Sequence, residues 1–249
     1  MPPTAAPTPA SPAEPDLWGH LPARTRGLVA THVVGVIVGG LALDREFGWT
    51  GQLLATLWTV AVFAWLLRLG RPLERRVLLV CTALAGVGEA VLSLGWGVYD
   101  YRFGNLPLFV PPGHALLMTL GLVVRPLVTP RHVAAVAAGA AVWAIVVLWR
   151  GSDAFGTILA GLFLVCAGLS RGRDLYAAMF VLALAMELYG TALGNWTWRP
   201  SVPGTGWSAA NPPFAAGAFY ALLDLLVLAA VRRRPRVHGR GAALLPDVP

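Results

Sequence analysis

Apolar residues run along the chain in blocks of about 17–20 positions, the length a helix needs to cross the hydrocarbon layer of a bilayer. Arginine, glycine and proline break one block from the next. Eight blocks fall near residues 27–43, 52–69, 77–94, 114–128, 133–149, 154–169, 175–193 and 214–231, and they predict an all-α, polytopic transmembrane helix bundle. The fourth and sixth are short enough to be tilted or broken. Glycines at 35, 39 and 40 suit close helix packing in lipid. Residues 1–26 are rich in proline, alanine and threonine and hold no apolar stretch ahead of their charges, which predicts a disordered tail rather than a signal peptide. Trp18 and His20, near its end, are expected at the headgroup level.

Composition removes the soluble alternative. Hydrophobic residues make up 57% of the 249 positions and charged residues 12%, against about 45–50% and about 25% in an average soluble domain. The formal charge is +7, and all 19 basic residues are arginines. They sit in turns between the blocks rather than on one polar face, so membrane topology explains them and nucleic-acid binding does not. Counted from a cytoplasmic N-terminus, only Arg45, Arg102, Arg150 and Arg199 fall in outside segments. The expectation is therefore a multi-pass protein of the cell's inner membrane with both termini in the cytoplasm, in contact with membrane lipids and open to homo-oligomer formation. The basic segment 232–249 is expected in the cytoplasm, as a topology anchor or as a site for anionic lipid. Cys81 and Cys166 lie inside apolar blocks with no CxxC pair and read as filler.

The two long outside loops carry an internal repeat. Glu89, Gly97, Tyr99, Tyr101, Arg102, Pro111 and Pro112 match Glu187, Gly194, Trp196, Trp198, Arg199, Pro212 and Pro213. The copies are four blocks apart, so they share one side of the membrane. The chain then divides into parallel four-helix halves, 27–129 and 130–231. Each glycine should stop its helix, the alternating aromatics should place two rings on one side of an extended segment, and each proline pair should open the next helix.

Ionisable groups inside the apolar blocks are costly to insert, which makes them functional candidates. Glu89, Glu187, His114 and Asp224 are the candidate catalytic residues. Tyr99, Tyr101, Arg102, Trp196, Trp198, Arg199, Asn211 and Tyr220 are candidates for binding a substrate. Tyr220 and Asp224, four apart, share a helix face. A bland reading stands beside this one, in which the glutamates only tie helices together and the aromatics form an interfacial belt. Spacings for a metal site, a P-loop, a GxGxxG turn and a GxSxG elbow are absent, so neither a metal nor another cofactor is expected.

The segment from Glu89 through Gly97, Tyr99 and Tyr101, with that from Glu187 through Gly194, Trp196, Trp198 and Asn211, resembles the carotenoid-biosynthesis membrane family that includes the long-chain carotenoid hydratases. That resemblance implies a polytopic enzyme acting on an isoprenoid, with Glu89 and Glu187 as acid and base and the aromatic loops as a lid. A proton-coupled transporter and a non-catalytic assembly protein are the alternatives that the residues themselves leave open.

Overall fold

Glycine at position 48 breaks the first helix. In the computed structural model, which describes residues 16–169 and 172–232, α1 (Ala23–Leu69) takes the backbone angles φ 59°, ψ −133° there, in a region that favours glycine. The chain folds back at this point. Ala55 packs on Gly40, and the Trp58 ring lies over Gly35 and Gly39, so closely at Gly39 that a Cβ there would collide with it. The first two apolar blocks thus form the arms of one helical hairpin.

The remaining helices are α2 (Pro72–Glu89), α3 (Val110–Val124), α4 (Pro130–Arg150), α5 (Ala154–Leu169), α6 (Arg173–Leu193) and α7 (Gly217–Arg232). Prolines at the first turn of α2, α3 and α4 occupy positions whose N–H would have no helical partner. Helices α2, α3, α6 and α7 pack in a closed ring, each against two others, and the α1 hairpin covers the α3 and α6 side. Helix α3 is buried from Ala115 to Leu122, whereas α4 buries only Ala140 and Val147 and turns Trp149, 87% exposed, and Ile145, 69% exposed, outward. A bundle with an apolar outside is built for lipid. Among the described residues, four helices are each long and apolar enough to cross a membrane: Ala23–Leu69, Pro72–Gly95, Pro130–Arg150 and Arg173–Leu193.

The two copies of the repeated motif meet. β1 (Tyr99–Tyr101) and β2 (Trp196–Trp198) pair antiparallel, with Tyr99 opposite Trp198, Asp100 opposite Thr197 and Tyr101 opposite Trp196. Gly97 and Gly194 both take positive φ, 71° and 76°, where each chain leaves its helix. Between Glu89 and its glycine there is one residue more than between Glu187 and its own. A π-helical turn over Ala90–Gly95 absorbs the difference, because the wider turn holds an extra residue without rotating the helix below it.

Two expectations are corrected. The tail from residue 16 packs on the protein: Leu17 and Trp18 are buried, the Trp18 N–H donates to Glu74 Oε1 at 2.7 Å, and His20 Nδ1 lies 3.1 Å from the same oxygen. A buried carboxylate at the start of α2 takes the segment that composition alone assigned to solvent. Residues 1–15 and 233–249 lie outside the described ones. The second proline pair does not open its helix either; α7 begins at Gly217, after turns through residues 214–216.

Candidate functional site

Helix α2 supplies Glu89, and β1, directly above it, supplies the first partners. The Tyr99 and Tyr101 hydroxyls both donate to Glu89 Oε2 at 2.6 Å. Period-two alternation puts these rings inward and Asp100 outward. The second copy repeats the plan with indoles: Trp196 Nε1 and Trp198 Nε1 donate to Glu187 Oε2 at 2.8 and 3.1 Å. Gly190, one turn above Glu187 on α6, leaves room for the Trp196 ring, which would collide with any Cβ there.

The helix after each strand adds a third partner. His114, on α3, places Nε2 at 3.2 Å from Glu89 Oε1, and Tyr220, on α7, donates to Glu187 Oε1 at 3.3 Å. The two rings stack, with centroids 4.8 Å apart and planes 6° from parallel, and so join the halves. All six partners of the two carboxyl groups come from the predicted set.

Hydrogen counting defines the His114–Glu89 contact. His114 Nδ1 lies 3.0 Å from the Val110 carbonyl, which can only accept, so Nδ1 carries a hydrogen. Nε2 then has a hydrogen only in the imidazolium. A bond to Glu89 requires one proton between the two groups, held as imidazolium with carboxylate or as imidazole with carboxylic acid. This pair can deliver that proton to a third group. Glu187 faces two indole N–H groups and a phenol, and no cation among the described residues bonds to it.

Both carboxyl groups border open space on two sides. An inner cavity of about 60 Å³ lies toward α1 and is lined by Val36, Leu41 and Thr59 together with the two glutamates and His114. That is room for a few waters, at about 10–15 Å³ each by this measure. On the other side a groove of about 370 Å³ runs between α2 and α7. Glu89, Tyr99, His114, Glu187 and Tyr220 line both spaces. Val87, Val91 and Leu226 form the groove's lips and are 63%, 55% and 47% exposed, so it opens sideways through the bundle wall.

The other candidates lie away from these spaces. Arg102 donates to the carbonyls of Asp44 and Arg45 at 3.0 and 2.7 Å, pinning the first loop to the α1 hairpin. Arg199 forms a two-pronged, exposed ion pair with Asp100 at 2.9 and 3.0 Å. Asn211 accepts the Trp198 N–H at 2.9 Å and holds the second loop. Asp224 is fully buried on α7, and neither carboxyl oxygen has a hydrogen-bond partner among the described residues.

Sequence reasoning passed over the polar group that seats the paired strands. Asn195 donates to Asp44 Oδ2 at 2.6 Å, Gln52 donates to Asp44 Oδ1 at 3.2 Å, and Asn105 donates to Gln52 at 2.7 Å. Asp44 is 2% exposed. The available signal was Asn195 itself, set between the helix-ending glycine and the first tryptophan of the motif. Asp153 was also missed; it accepts backbone N–H groups from Gly156, Ala210 and Phe214 and so caps α5 while holding the second loop. Among the described residues, no group of three or more His, Cys, Asp or Glu side chains is arranged to hold a metal ion. No protein-family model, curated protein or solved structure matches the chain.

Proposed function

We propose that the chain is an eight-span inner-membrane protein, built from two parallel four-helix repeats with both termini cytoplasmic, that takes a lipid-like isoprenoid molecule between its halves and converts it by acid–base chemistry. The observation that carries this reading is a buried pair of carboxyl groups, one of them 3.2 Å from a histidine nitrogen, along an apolar groove that opens through the bundle wall. A ligand that reaches such a site from the side is soluble in the bilayer. Antiparallel pairing of β1 with β2 is what a two-fold axis along the membrane normal makes of two copies of one motif, which supports the repeat.

Hydration of an isolated double bond, the reaction implied by the resemblance to carotenoid hydratases, fits the groups present. The His114–Glu89 pair gives its proton to one alkene carbon, and the π bond's electrons form the new C–H bond. Water from the inner cavity adds to the resulting carbocation while Glu187 takes the water's proton. Tyr99 and Trp198, whose rings both line the groove, can stabilise the cation meanwhile. Moving the proton from Glu187 back to the pair restores the site. Extraction of the purified protein followed by mass spectrometry is expected to return a polyene or prenyl chain. Glu89→Gln and Glu187→Gln are expected to abolish its conversion with membrane yield unchanged; full turnover in both variants overturns the reading.

Asp224, buried one turn deeper than Tyr220 without a partner among the described residues, is the observation that favours a proton-coupled transporter instead. Uptake into proteoliposomes driven by a pH gradient, and lost in Asp224→Asn, would select that alternative.

A further inference from the structure

A second groove, of about 170 Å³, lies on the far side of the bundle. Leu117 and Leu120 of α3, Leu182 and Met186 of α6, and Val34 and Val38 of α1 line it. In the ring formed by α2, α3, α6 and α7, the α3/α6 seam is opposite the α2/α7 seam that carries the first groove. The inner cavity lies between them. It shares the two glutamates with the α2/α7 groove, and it shares Ile37 and Met186 with the α3/α6 groove.

We propose that the α3/α6 groove is a second subsite for the same ligand, holding the far arm of a linear apolar chain that threads past the carboxyl pair, with Ile37 and Met186 as the gate between the two arms. This rests on the reading of the site as one for a lipid-like molecule, and it adds the ligand's shape. Among the described residues, no carboxylate, histidine or arginine lines the second groove, and its one hydroxyl, on Tyr189, is donated to the Val38 carbonyl at 3.2 Å. The groove thus offers hydrocarbon contact alone, and Val34 and Val38 on its rim, 46% and 47% exposed, leave it open at the bundle surface. Met186 suits a gate because its unbranched side chain moves aside at little cost. A chain held in this way has its reacting bond inside its length, with apolar carbon on both sides and no charged headgroup.

The test uses the full chain in detergent and a linear hydrocarbon carrying a diazirine at each end, long enough to cross two helix diameters, roughly 20 Å. Irradiation is expected to join a peptide from α2 or α7 to one from α3 or α6 within a single protein molecule. In Ile37→Trp and in Met186→Trp that cross-link is lost, while a probe with one diazirine still labels the α2/α7 groove and thereby reports an intact fold. Cross-links confined to the α2/α7 groove, or cross-links between the grooves that survive both substitutions, overturn threading and leave the lipid-binding reading standing. Absence of label from the α2/α7 groove overturns the lipid-binding reading, and threading falls with it.

Discussion

Tyr99 and Tyr101 show how much a buried carboxyl group asks of its neighbours. Each phenol is removed from water and faces Glu89, and burial first, then that charge, pushes its pKa well above the ordinary 10.0. Because the folded value lies above the unfolded one, these residues contribute stability that is complete below about pH 10 and is lost as pH rises through the folded pKa. Alkaline titration followed by phenolate absorbance should show a late phase that coincides with loss of structure. In the Tyr99→Phe, Tyr101→Phe double variant the amplitude of that phase should shrink, and an unchanged titration would contradict the arrangement. His114 acts through its proton, so shape alone does not replace it. His114→Gln keeps a hydrogen-bond donor toward Glu89 but cannot carry the exchangeable proton. On the hydration reading its turnover should fall by about 10²–10⁴-fold, the usual contribution of a general acid, with ligand retention unchanged.

Among the elements, the apolar blocks were legible because a bilayer imposes a length that any sequence must obey, and each block falls largely within a helix. The paired motif was legible for a related reason. A charge inside an apolar block is conspicuous, and two such charges followed by the same pattern of glycine and aromatics imply a common structure. What stayed hidden depends on partners far along the chain. Nothing near Asp44 announces that Asn195 will donate to it, and nothing in the proline-rich tail announces that Glu74 will bind the Trp18 N–H. The π-turn lay between these cases, since its extra residue was visible as unequal spacing while its geometry was not. Gly190 offers a test at this scale. Gly190→Ala sets a methyl group against the Trp196 ring and should cost about 1–3 kcal/mol of stability through overpacking, read as a lowered Tm in detergent. Gly139→Ala, in open space on α4, should instead be neutral or stabilising by about 0.5–1 kcal/mol. Equal effects at the two positions would remove the argument for close packing beneath β2.

For the whole molecule, the strand pairing constrains topology independently of any charge count. β1 and β2 lie on one side of the membrane because they hydrogen-bond to each other, so the chain between them crosses an even number of times. Helices α3, α4, α5 and α6 occupy that interval. Of these, α4 and α6 are each long and apolar enough to cross, which leaves α3 and α5 to cross together or not at all. Crossing by both gives the parallel repeat, and the arginine distribution then sets its direction. Cys81 and Cys166 are buried, so single cysteines introduced at exposed positions report topology against a silent background. Ser201→Cys, in the loop after β2, is expected to react with a membrane-impermeant maleimide in intact cells. Arg131→Cys, at the start of α4, is expected to react only after permeabilisation. The opposite pattern reverses the orientation, and labelling of both sites in intact cells requires an even number of crossings between them, which breaks the alternation that the two-repeat architecture needs.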